Sequence, residues 1–95
     1  MAAYVIAEIE VLDPARYEEY RREVAATVTA HGGRFIVRGG AIEVLEGDDR
    51  PQRIVILEFP DMDTAQRWYG SVPYQPLIAL RQAASRGRLL LVEGV

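Results

Sequence analysis

The stretch AYVIAEIEVLDPARYEEY, residues 3–20, changes its hydrophobic period from two to between three and four within a few residues. Val5, Ala7, Ile9 and Val11 fall on one face of a strand and Tyr4, Ile6, Glu8 and Glu10 on the other, because successive strand side chains point to opposite sides. A helix then begins. Asp13 offers a side-chain N-cap, Pro14 suits the first helical position, and Glu18 and Glu19 complement the helix dipole. Leu12 and Tyr17 stand where a hydrophobic staple would close the helix start. Tyr17, Tyr20, Val24, Val28 and His31 continue at spacings of three and four as one apolar stripe, which Gly32 or Gly33 ends in the left-handed conformation.

Outward from this unit, RFIVR and AIEVLE flank Gly39-Gly40, which predicts a two-residue hairpin with positive φ at both glycines. EGDDRPQ is a polar loop, and RIVILEF, residues 53–59, is the most strand-like run of the chain. DMDTAQRWYG reads as a short helix capped by Asp61 or Asp63 and closed by Gly70. SVPYQPLIALRQAASR reads as another helix, capped by Ser71, with Pro76 deep enough to distort its first turn. RLLLVEG is the last strand. The order β-α-ββ-β-αα-β, with the hairpin counted as one edge unit, predicts an α+β fold: a ferredoxin-like sandwich with a four-stranded antiparallel sheet. Right-handed crossovers place the first strand and RIVILEF centrally and the last strand at an edge.

The 95 residues make one domain, 1–95, and 49% apolar with 26% charged residues is a globular composition. The absence of cysteine removes disulfides, thiolate zinc sites and thiol nucleophiles, and suits a reducing, cytoplasmic setting. A net charge of −3 with interspersed signs argues against a nucleic-acid partner. Apolar runs such as Leu89–Val92 are too short to span a bilayer, and the start of the chain does not read as a signal peptide. No phosphate loop, dinucleotide fingerprint or metal motif is present, so neither a cofactor nor a metal is expected.

Several stretches in their order and spacing carry a resemblance over essentially the whole chain: YVIAEIEVLDPARYEEY, GGRFIVRGG with EVLEG, RIVILEFPD, RWYGSVPYQPLIALR and the closing VEGV. The chain resembles the family called domain of unknown function 1330, within the dimeric α/β-barrel superfamily. That resemblance implies an open ferredoxin-like sheet whose face meets a second subunit to close a barrel. It implies no activity, since the superfamily spans cofactor-free oxygenases, haem-degrading enzymes, isomerases and members without known chemistry, and fold does not choose among them.

Candidate residues follow from chemistry. His31 is a candidate general base, although a histidine in the last turn of a helix also serves the dipole. Glu8 and Glu58 interrupt apolar strands, where an acid must pair, face a cavity or neutralise; if their strands adjoin, both lie on the face away from the helices. Arg38 is a candidate for binding a substrate carboxylate or enolate. A two-residue hairpin would place it on one face with Arg34, Ile36 and Glu43, diagonal to Glu43 and able to pair with it. Trp68, Tyr69 and Tyr74 cluster on the two short helices and are candidates for lining a pocket as well as for the core. The chain is therefore read as a homodimer joined through the sheet face of Tyr4, Ile6, Ile54 and Ile56, with a small organic molecule as its candidate ligand. Three readings stand open: a cofactor-independent enzyme, a non-catalytic binding module, and a structural dimer.

Overall fold

The computed structural model describes residues Met1–Val95. The elements are β1 (Ala3–Val11), α1 (Pro14–Ala30), β2 (Arg34–Arg38), β3 (Arg53–Phe59), α2 (Met62–Tyr69), a 3-10 turn (Val72–Tyr74), α3 (Gln75–Ala84) and β4 (Ser85–Glu93). They form a ferredoxin-like α+β sandwich. The four strands pair antiparallel in the order β2-β3-β1-β4, so β1 and β3 are central and β4 lies at an edge.

Strict alternation in β1 divides the sheet. Ala3, Val5, Ala7 and Ile9 are buried against the helices, and Leu57 and Phe59 of β3 join them. Tyr17, Tyr20, Val24 and Val28 of α1, Trp68 of α2 and Tyr74 complete the core from the other layer. Burying each such side chain contributes about 1.5–3 kcal/mol. All the helices lie on this one face. The opposite face keeps cross-strand rows in register: Val92–Tyr4–Glu58–Arg34, then Leu90–Ile6–Ile56–Val37, then Arg88–Glu8–Ile54. An apolar row thus runs between rows that carry ion pairs.

Local chemistry sets the helix ends. Asp13 Oδ1 accepts from the Arg16 amide at 3.2 Å and Asp61 Oδ1 from the Thr64 amide at 2.8 Å. His31 is the C-terminal cap of α1, followed by Gly32 at a φ of 72°. The distortion expected at Pro76 takes the form of the separate 3-10 turn before α3. Ser71 does not cap that region. Its hydroxyl turns back to donate to the Trp68 carbonyl at 2.7 Å. Leu12 makes no tight staple either, remaining 57% exposed while Tyr17 enters the core.

The largest departure from expectation is the hairpin. Residues 41–46 form no strand, Gly39 alone of the pair has a positive φ, and β2 pairs directly with β3. β2 already occupies the sheet edge, so a further arm would lie outboard of it, where burying Ile42 and Val44 gains little. The register of β2 also shifts between Phe35 and Val37, with Ile36 as the extra residue of a bulge. A bulge reverses which face the following side chains meet. Arg38 therefore stands opposite Val55 on the helix side, away from Arg34, and no ion pair joins it to Glu43.

Gly87 allows β4 to approach β1. Its φ is 154°, and a Cβ there would overlap the Glu8 carbonyl oxygen. Gly87→Ala is expected to lower stability by about 2 kcal/mol or more, since strain and collision add. Gly40 has open space around it and no positive φ, so Gly40→Ala is expected to change stability by less than about 0.5 kcal/mol. Paired urea denaturation curves measure both.

Candidate functional site

A cavity of about 30 Å³ lies between the sheet and the helices. It extends from Trp68, Tyr74 and Arg81 on the α2–α3 side to Arg38 and Arg53 at the β2–β3 edge. One water needs about 10–15 Å³ of such space, so the enclosed part admits a group of a few heavy atoms.

The floor is built by packing. The Trp68 and Tyr74 ring centroids are 4.2 Å apart, with Phe59 5.4 Å from Trp68 on the sheet side. The Trp68 indole N–H donates to Thr27 Oγ1 at 3.0 Å, and Thr27 donates to the Val24 carbonyl at 2.7 Å. Trp68 is thereby held as a fixed wall. The hydroxyls of Tyr20 and Tyr74 are 2.8 Å apart. One hydroxyl hydrogen serves that bond, which leaves the other free to donate elsewhere. Burial, reinforced by the neighbouring Tyr74 hydroxyl, drives the Tyr20 phenol far above its ordinary range, and burial also raises Tyr74. Both remain neutral donors at any physiological pH.

Arg81 stands beside them, 8% exposed, with a buried Nε that has no hydrogen-bond partner. No carboxylate lines the cavity, and none of the six ion pairs of the chain includes Arg38, Arg53 or Arg81. A buried guanidinium without a counter-ion carries a desolvation cost that ordinary cores avoid. The floor therefore combines a cation, two phenolic hydroxyls and an aromatic wall, the donor set that stabilises negative charge on an oxygen.

The residues singled out from the sequence divide into three groups. Arg38, Trp68 and Tyr74 meet at the cavity. Tyr69 is 45% exposed in a separate apolar groove of about 340 Å³ between α2 and β4. Glu8, Glu58 and His31 lie elsewhere. Glu58 accepts from Arg34 at 2.8 Å and Glu8 approaches Arg88 at 3.4 Å, both on the open face of the sheet, while Glu10 takes Arg86 at 2.7 Å. The His31 ring Nδ1 lies 2.9 Å from the Thr27 carbonyl of its own helix end. No three His, Asp or Glu side chains cluster closely enough to hold a metal ion. Tyr17, Tyr20, Arg53 and Arg81 were not among the sequence candidates, yet a signal existed. Arg53 shares strand parity with Val55, Leu57 and Phe59, and Arg81 continues the spacing Tyr74, Leu77, Ile78; each places an arginine on a buried face.

The strand order and the helices on one face define a ferredoxin-like α+β protein. Within that class the chain belongs to the family described as domain of unknown function 1330, matched over residues 2–95. No curated protein sequence matches it. Among solved structures it is similar to RPA0582, a protein of unknown function from Rhodopseudomonas palustris, at 18% identity and a TM-score of 0.81, covering 99% of this chain and 82% of that one. It is also similar to SnoaB, a cofactor-independent oxygenase from Streptomyces nogalater, at 18% identity and a TM-score of 0.67, with 99% and 93% covered. An antibiotic biosynthesis monooxygenase matches at 15% identity and a TM-score of 0.59, with 100% and 99% covered. At these identities the likeness is one of fold.

The tyrosine pair has a pH signature. A phenol whose folded pKa lies above its ordinary 10.0 releases its proton more readily from the unfolded chain. Its contribution to stability is complete below pH 10 and declines as pH rises beyond it. Melting temperature is thus expected to fall as pH rises above about 10, and Tyr20→Phe is expected to flatten that fall. Equal slopes in the two proteins would show that Tyr20 is not the group responsible.

Proposed function

We propose that the chain is a small cofactor-independent enzyme that acts on an electron-rich organic molecule, an enol or a phenol, whose oxygen enters the floor of the cavity. The observation that carries this reading is Arg81, buried and without a counter-ion beside the Tyr20–Tyr74 hydroxyl pair. Arg81 and the free phenolic hydrogen lower the energy of the substrate's oxyanion, and its proton leaves to water through the mouth. A charge-bearing enolate or phenolate is electron-rich enough to react with dioxygen directly. The shared fold with SnoaB, named as a cofactor-independent oxygenase, supports this chemistry.

The test is oxygen uptake by chelator-treated protein given a panel of 1,3-dicarbonyl compounds and hydroxynaphthalenes. Uptake is expected with at least one class, falling about 100-fold in Arg81→Gln, the cost typical of removing one oxyanion donor. If no compound is either turned over or bound, the reading is wrong.

We propose further that the protein works as a homodimer in the cytoplasm. The helices cover one face of the sheet. The other presents the row Leu90–Ile6–Ile56–Val37, with Leu90 44% exposed, a continuous apolar surface that a second copy would bury. Salt-bridged rows on either side would set the register of such a contact. The cysteine-free sequence suits a reducing compartment, and no helix is long and apolar enough to cross a membrane. Sedimentation at micromolar concentration is expected to give twice the 10.6 kDa chain mass, and Ile6→Asp is expected to give a folded monomer. A monomeric parent protein would refute the dimer.

A further inference from the structure

We propose, resting on the reading above, that the substrate also carries a carboxylate and that Arg38 and Arg53 bind it at the mouth of the cavity. The charge distribution is the first reason. The chain holds 14 acids against 11 bases, yet four arginines and no acid line this one cavity. Of these, only Arg21 forms an ion pair, with Glu18 at 3.6 Å on the exposed helix surface, and the same Glu18 lies near enough to act weakly on Arg38. Arg34, Arg86 and Arg88 on the open face all find glutamates, so the mouth is not short of partners because acids are scarce.

The second reason is that both guanidinium groups are held in place without being neutralised. Arg38 donates from Nη2 to the Arg21 carbonyl at 2.7 Å and lies over the Phe35 ring, 4.1 Å from its centroid. Arg53 lies over Tyr17 at 5.5 Å, and its Nε is buried with no partner. Gly39 makes this position possible, since a Cβ on it would overlap the Arg53 guanidinium. Burial, together with the neighbouring Arg21 and Arg53 charges, lowers the pKa of Arg38, and Tyr17 and Glu18 offset only part of that effect.

The third reason concerns shape. Only a few heavy atoms fit in the enclosed floor, so the body of a larger ligand would extend toward the end of the cavity lined by Phe35, Tyr17, Arg38 and Arg53. Guanidinium forks match planar carboxylates in two-point contact. No glycine lines the cavity, so it lacks the glycine-rich loop that cradles a phosphate. The substrate class is a compact planar acid with an enolic or phenolic oxygen remote from its carboxylate.

Calorimetric titration at low salt with 4-hydroxybenzoate, phenol, benzoate and inorganic phosphate separates the two ends of the site. The hydroxy acid is expected to bind at least tenfold more tightly than phenol. That gap should close in Arg38→Gln and in Arg53→Gln, and return in part in Arg38→Lys, with circular dichroism confirming that each variant folds. Phenol binding as tightly as 4-hydroxybenzoate would overturn the carboxylate site and leave the oxyanion floor standing. Benzoate matching 4-hydroxybenzoate while phenol fails to bind would uphold the carboxylate site and remove the floor. Phosphate binding as tightly as the hydroxy acid, or no binding by any probe, would overturn the proposal.

Discussion

The structure depends on the helices covering only one face of a four-stranded sheet. Because strand side chains alternate, β1 must divide its residues between a dry face and an open one, and every later element is placed by that division. Ala3, Val5, Ala7 and Ile9 form a floor of small and branched side chains on which the aromatic helices rest. Small residues at Ala3 and Ala7 leave height above the sheet, and Trp68, Tyr20 and Tyr74 fill most of it. The cavity is what they leave unfilled.

Cores usually close such a gap with aliphatic side chains, which carry no polar atoms that need partners. Here phenols and guanidinium groups, each costly to bury, share the lining with aliphatic side chains such as Val5, Ile9, Val24 and Leu57. The Tyr20–Tyr74 hydrogen bond offsets part of that cost, and Trp68 is satisfied through Thr27. Arg81 Nε and Arg53 Nε are not satisfied within the chain. A buried donor left in this state can be satisfied by a water or by a bound molecule. The acids on the open face are the opposite case: Glu8, Glu10 and Glu58 each meet an arginine across the sheet.

The bulge at Ile36 links the two faces. Without it Arg38 would stand with Arg34 among the ion pairs of the open side. One extra residue sends it instead to the helix side, against Phe35 and the Arg21 carbonyl. The positive φ of Gly39 then turns the chain away immediately after it, which leaves room for Arg53. A single local irregularity thus changes an edge strand into one wall of a charged entrance.

Much of this was legible in the residues. Period two in residues 3–11 and 53–59, the caps at Asp13 and Asp61, and the glycine after His31 determine the strands, the helices and their order, because these signals act within a few residues of chain. The family followed from the same ordered stretches. The hairpin expected at Gly39-Gly40 does not form because turn chemistry permits a second arm outboard of β2 but cannot supply an apolar layer for it to bury against. The site was half legible: Trp68, Tyr74 and Arg38 could be named, while Arg53 and Arg81 could be noticed only as charges on buried faces. Their meeting with Tyr20 joins α1, α3, β2 and β3 across up to 61 positions of sequence. Local patterns of hydrophobicity carry no information at that range. Which buried charges converge, and which find a counter-ion, was decided only when the helices packed onto the sheet.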